Sequence, residues 1–160
     1  MLMPKAIRVR ETMKGTHHFV DPAWGPAEDR PFYFVITWQG AVTAALNPLS
    51  QQFLRFAAQG EIYVDGLTHR GEVPCAGELR VDYFRSHTIS YRLDFDVEGE
   101  PFVYEGSKVE VDLRRPLMLV KTHTTCYGKV LHGDGAILSR SVTHFEPHTL
   151  VPFLLSFRLS

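Results

Sequence analysis

The chain has 160 residues, 17 basic against 18 acidic side chains, and 44% apolar residues. That balance argues against a dedicated nucleic-acid binder, which presents a basic face. The length fits one domain spanning residues 1–160, large enough to bury about two-thirds of its unfolded surface.

Eleven Phe and six Tyr favour strands over helices. Two cysteines, Cys75 and Cys126, stand far apart without metal-type spacing and read as reduced core thiols. No apolar run reaches the roughly 18 residues of a membrane span. Residues 1–15 contain no apolar secretory core, so a cytoplasmic location is expected.

In chain order, Ile7, Val9, Glu11 and Met13 alternate with Arg8, Arg10, Thr12 and Lys14. This predicts a first strand over 7–13 with one acid on its apolar face, closed by Gly15. Residues 16–30 hold His17-His18, two prolines and Trp24-Gly25, and read as a loop. Residues 32–38 are rich in aromatic and β-branched side chains, a second strand. Good helix formers after Asn47-Pro48 predict one short helix over 48–56. A third strand follows over 59–65, ended by Gly66. A fourth covers 71–84, where Pro74 marks an edge position or a bulge and Gly77 a bend.

The strictest alternation lies at 88–97, with Ile89, Tyr91, Leu93, Phe95 and Val97 opposed to Ser90, Arg92, Asp94 and Asp96. The tight turn at 98–100 predicts a hairpin into a sixth strand at 102–111. A polar turn at 112–116 leads to a seventh strand over 117–130, and a turn at 131–135 to an eighth over 137–145. The tail from Pro147 is apolar and reads as a helix or a last strand. Its stripe of Leu150, Val151, Phe153, Leu154, Leu155 and Phe157 either packs across the body or docks a partner or a second copy, which makes a homodimer a candidate.

Eight short strands with frequent turns make an antiparallel meander, which closes into a barrel or folds as a sandwich. The expected class is all-β: an eight-stranded antiparallel up-and-down barrel with one short helix. Such a barrel encloses side chains or one small ligand.

Period-2 parity suggests which residues face inward. Strand five turns Tyr91, Leu93 and Phe95 inside. Strand seven, with Lys121 and His123 outside, points Met118, Val120, Thr122, Thr124 and Cys126 inward. Strand six has two candidate faces. The small Gly106 beside the long stem of Lys108 favours Phe102, Tyr104, Gly106 and Lys108 inside. Lys108 and Glu11 are then two charges of one lumen, and each needs the other or a ligand group. The arrangement is an internal ion pair, a lysine that reaches to the rim, or an anchor for a ligand's carboxylate or hydroxyl. The candidate ligand-contacting residues are Glu11, Tyr91, Leu93, Tyr104, Lys108, Thr122 and Thr124. None of the eight His stands in an H-E-x-x-H or paired Cys-x-x-Cys ligand motif, so no metal is expected. No local motif marks Cys75 or Cys126 as a nucleophile, and no catalytic residue or cofactor is predicted.

Several segments, taken in order, resemble a known family. They are ETMKG at 11–15, GEIYVDGL at 60–67 and PCAGELRVDYF at 74–84, then YRLDF at 91–95, EGSKV at 105–109 and KTHTTCY at 121–127. Together they resemble the lipocalin-like β-barrel module found in bacteria beside or fused to cholesterol-oxidase-like glucose-methanol-choline oxidoreductases, and sometimes beside α/β-hydrolases. The resemblance covers residues 7–145. The family pattern favours an acid at Glu11 and a lysine at Lys108, whereas the His17-His18 loop and the aromatic second strand depart from it. It implies a context of lipid, sterol or other apolar small molecules, and the expected function is a non-catalytic binding or accessory barrel for such a molecule, with an oxidoreductase or hydrolase as partner. The alternatives are a small cyclase- or isomerase-type barrel enzyme and a filled-core interaction module.

Overall fold

Alternation of apolar and polar side chains, one face toward the core and the other toward water, builds most of this molecule. The computed structural model describes residues 6–51, 53–82, 86–109, 125–145 and 158–159. Its strands are β1 (Ala6–Phe19), β2 (Arg30–Ala41), β3 (Arg55–Val64), β4 (Val73–Asp82) and β5 (Thr88–Val97). They continue with β6 (Glu100–Lys108), β7 (Thr125–His132), β8 (Ile137–Phe145) and the two-residue β9 (Arg158–Leu159). One short helix, α1 (Val42–Ala45), follows β2.

Each of β2 to β8 pairs antiparallel with its chain neighbour, and β1 pairs with both β2 and β8. The result is a closed eight-stranded, antiparallel, up-and-down barrel of the lipocalin-like kind. Closure matters energetically because it leaves no long strand edge unpaired. The seam between β1 and β8 runs from Met13↔Phe145 to Phe19↔Ser139. Beside it, β9 pairs with β1 at Ile7 and Arg8.

The barrel has two unlike ends. At one, β1 begins, α1 and its turns connect β2 to β3, and β6 leaves at Lys108. At the other, Trp24 packs edge-on against Phe102 with centroids 5.9 Å apart and lies 5.8 Å from the His132 ring. Between them a slab of rings crosses the interior: Phe34 stands 5.7 Å from Tyr91 and 5.2 Å from Tyr104, and Phe32 stands 5.2 Å from Tyr104. All four are buried.

Four of the sequence expectations change. The first strand does not stop at Gly15 but continues to Phe19, and the loop expected from residue 16 begins after it. Pairing with β2 and β8 on both sides carries the chain through, and His17 and Phe19 keep the inward parity of Glu11 and Met13. Among the described residues of 48–56 the expected helix does not form, and α1 lies earlier. The side chain of Asn47 accepts the Leu49 amide at 3.0 Å and its carbonyl accepts the Ser50 amide at 3.0 Å, which makes turns instead. From Arg55 the chain already pairs with β4, and Phe56 and Ala58 turn inward, so sheet pairing overrides helix propensity. The third strand is correspondingly longer than 59–65.

Other expectations hold. Pro74 sits one residue before β4 begins pairing with β5 at Cys75↔Phe95, which is an edge position. The β5–β6 hairpin has a two-residue loop, with Glu98 at φ 51° and Gly99 at φ 86°, the twist that matches the strands. Both cysteines are free and buried. The turn at 112–116, most of the predicted seventh strand and the apolar stripe at 150–157 lie outside the described residues.

Candidate functional site

Lys108 is the last residue of β6, on the inward set with Phe102, Tyr104 and Gly106. Glu11 is the third inward residue of β1 after Ile7 and Val9. Both are buried, and the Lys108 Nζ donates to Glu11 Oε1 at 2.6 Å. Two more donors converge on the same carboxylate. The Tyr91 hydroxyl lies 2.9 Å from Oε1 and 3.0 Å from Oε2, and the Trp38 indole N–H donates to Oε2 at 3.2 Å. The ammonium also stands 5.4 Å from the Tyr91 ring centroid, within cation–π range.

The strands dictate this convergence. Glu11 lies opposite Ile36 and Lys108 opposite Ile89, so the charged tips are flanked by apolar walls. Burial, and then the Glu11 charge, push the Tyr91 hydroxyl well above its ordinary pKa, so it stays protonated and donates. A carboxylate that accepts three hydrogen bonds is well compensated for leaving water, and the pair is formally neutral.

Next to this tetrad, Cys126 occupies the inward face of β7. Burial raises its thiol to about 11, and Lys108 and Glu11 act on it through space in opposite directions. Its Sγ lies 3.4 Å from the Tyr104 hydroxyl. The Tyr104 ring lies across Gly106 and Gly128, which face each other between β6 and β7. A methyl group at either glycine would overlap that ring, so the missing side chains make room for it. Cys75, on β4, is raised to about 12 by burial. Both thiols therefore stay protonated at neutral pH.

β8 adds a row of neutral polar groups. Ser139, Ser141 and Thr143 all face inward and are buried, and none of their hydroxyls makes a hydrogen bond. Cys126 pairs with Thr143, and Gly128 with Ser141. Ser141 and Thr143 lie near enough to Tyr104 to lower its hydroxyl pKa against the larger upward effect of burial, although neither reaches hydrogen-bond geometry. On the other side of β8, His17 pairs with Ser141. Its Nε2 lies 2.7 Å from the Asp65 carbonyl, and its buried Nδ1 has no partner. Burial is the main reason its pKa falls below the ordinary histidine value.

The residues expected to line the site are placed as follows. Glu11, Tyr91 and Lys108 come together as one hydrogen-bonded group. Tyr104 lies nearby, on the far side of Gly106. Leu93 faces inward opposite Tyr104 but belongs to the apolar packing and makes no polar contact there. Thr122 and Thr124 lie outside the described residues. Sequence reasoning did not single out Trp38, His17 or the β8 hydroxyls. A usable signal was present on β8: Arg140 and His144 must face water, which turns Ser139, Ser141 and Thr143 inward.

Outside the barrel, a groove of about 690 Å³ crosses β2 to β6 and is lined in part by Glu61, Asp94 and Asp96. Among the described residues no group of three or more His, Cys, Asp or Glu could hold a metal ion. No helix among them is long and apolar enough to cross a membrane. Comparison with protein-family models, with curated proteins and with solved structures finds no match to this chain.

Proposed function

We propose that this barrel binds an apolar small molecule, lipid- or sterol-like, whose polar end sits beside the Lys108–Glu11–Tyr91–Trp38 group. One observation carries the reading. A buried, hydrogen-bonded ion pair lies inside an apolar barrel at the end away from Trp24, and buried hydroxyls that have no partner line β8 of the same interior. Polar groups confined in an apolar pocket orient a ligand, while the apolar walls supply most of the affinity. The pair is neutral as a unit, so a neutral polar end costs less to bring in than a second carboxylate. The resemblance to barrels that accompany cholesterol-oxidase-like oxidoreductases points to the same ligand class, and a role beside such an oxidoreductase or a hydrolase is part of the proposal.

A second reading has its own support. The Phe32, Phe34, Tyr91 and Tyr104 rings pack closely across the interior, as they would in a filled-core interaction module. In the binding reading this slab is the floor of the pocket.

Native mass spectrometry on protein purified without detergent separates the two. A co-purifying lipid mass is expected. Titration with a panel of fatty acids and sterols then compares wild type with the double variant Glu11→Leu/Lys108→Met, which removes both charges and so leaves no buried ion unpaired. Affinity is expected to fall at least tenfold. Equal affinity in the two proteins would remove the anchor, and no bound or binding lipid at all would leave the filled core.

A further inference from the structure

The tetrad leaves the polar row on β8 unexplained. Four buried polar atoms without partners lie on adjacent positions of β1 and β8: His17 Nδ1, Ser139 Oγ, Ser141 Oγ and Thr143 Oγ1. Buried polar groups are nearly always hydrogen-bonded, so such a cluster marks where another molecule's polar atoms belong. The chemistry of that molecule can be read from the histidine. The Asp65 carbonyl can only accept, so His17 Nε2 carries the proton of this bond. Burial keeps the ring neutral. Nδ1 is therefore a buried acceptor, and what meets it must donate. Three serine and threonine hydroxyls beside it both donate and accept. An O–H group satisfies all of these, and a carboxylate does not.

The row is continuous with the proposed binding site. Thr143 pairs across the sheet with Cys126, whose thiol lies within the electrostatic reach of Lys108 and Glu11. Ser141 is next inward, opposite Gly128 on one side and His17 on the other. We infer that the β8 row is a track for O–H groups, and that the ligand of this barrel is an alcohol whose hydroxyl hydrogen-bonds at the Thr143 end. In the ligand-free protein water fills the track as far as His17. This rests on the binding function proposed above and narrows its ligand class. The neutral ion pair agrees with it: a hydroxyl adds no charge to a site whose charges already cancel.

The test is a matched series of one long-chain alcohol, the corresponding acid and the corresponding hydrocarbon, titrated against wild type and Thr143→Val. Valine replaces an unpartnered buried hydroxyl by a methyl of the same size, so this variant is expected to fold at least as stably as wild type. In wild type the alcohol is expected to bind at least tenfold more tightly than the acid or the hydrocarbon, and Thr143→Val to abolish that preference. An acid that binds as well as the alcohol overturns the inference and leaves the binding function standing, as does a preference that survives Thr143→Val. Failure of all three to bind wild type overturns the binding function itself. A ¹⁵N NMR measurement of His17 in the ligand-free protein reads the track separately. An unprotonated, hydrogen-bonded Nδ1 with a cross-peak to water is expected, and a protonated or unhydrated Nδ1 refutes the track.

Discussion

The Lys108–Glu11 pair makes opposite predictions for single and double substitution. Removing one partner strands the other charge in a low-dielectric interior, so Glu11→Gln and Lys108→Met should each lower stability by about 3–5 kcal/mol. Glu11→Leu/Lys108→Met should recover most of that loss, because an apolar pair of similar volume carries no desolvation cost. Urea denaturation midpoints of the four proteins decide it, and single losses below about 1 kcal/mol would place the pair in contact with water. His17 makes a pH prediction. Its folded pKa lies below the ordinary value of about 6.5, so below that pH the unfolded chain binds more protons than the folded one. The contribution of His17 is therefore full above about pH 6.5 and is lost as pH falls toward the folded pKa. His17→Gln should flatten this part of the stability–pH curve, and an unchanged slope would mean that the ring titrates normally. The sequence made the first of these sites readable but not the second. Glu11 broke an apolar face and Lys108 stood beside a glycine, so parity alone brought them together. His17 sat next to His18 after a glycine and looked like a loop, and Trp38 read only as one more aromatic of a strand.

Among the elements, β5 and β8 were legible to the residue, because each alternates cleanly and ends at a turn. The extension of β1 and the early start of β3 were not, since both depend on partners supplied by distant strands. The helix expected at 48–56 fails for the same reason: local propensity is worth tenths of a kcal/mol per residue and sheet pairing outweighs it. Packing between β6 and β7 is another feature hidden from sequence, because Gly106 and Gly128 have meaning only once the Tyr104 ring lies over both. Gly128→Ala should therefore cost about 1–3 kcal/mol through overpacking. In a Tyr104→Leu background the same change should cost much less. Thermal or urea denaturation of this double-mutant cycle should give a coupling of at least about 0.5 kcal/mol. Additive costs would show that the clash is relieved by backbone movement and not by the ring.

At the scale of the whole molecule, the meander order follows from short turns between neighbouring strands, whereas closure depends on one seam between segments more than a hundred residues apart. Chain entropy opposes such contacts until the rest of the sheet has formed. Folding is then expected on the millisecond-to-second scale of domains dominated by non-local pairing. Gly15 probes the seam directly, because a Cβ there would overlap the carbonyl of Val142 on β8. If closure follows the folding transition state, Gly15→Ala should speed unfolding and leave the folding rate nearly unchanged, since late-forming contacts act on the unfolding limb. Stopped-flow chevrons of wild type and variant measure both limbs. A loss expressed mainly as slower folding would mean that β1 and β8 meet in the nucleus, and that the barrel closes before its hairpins are complete.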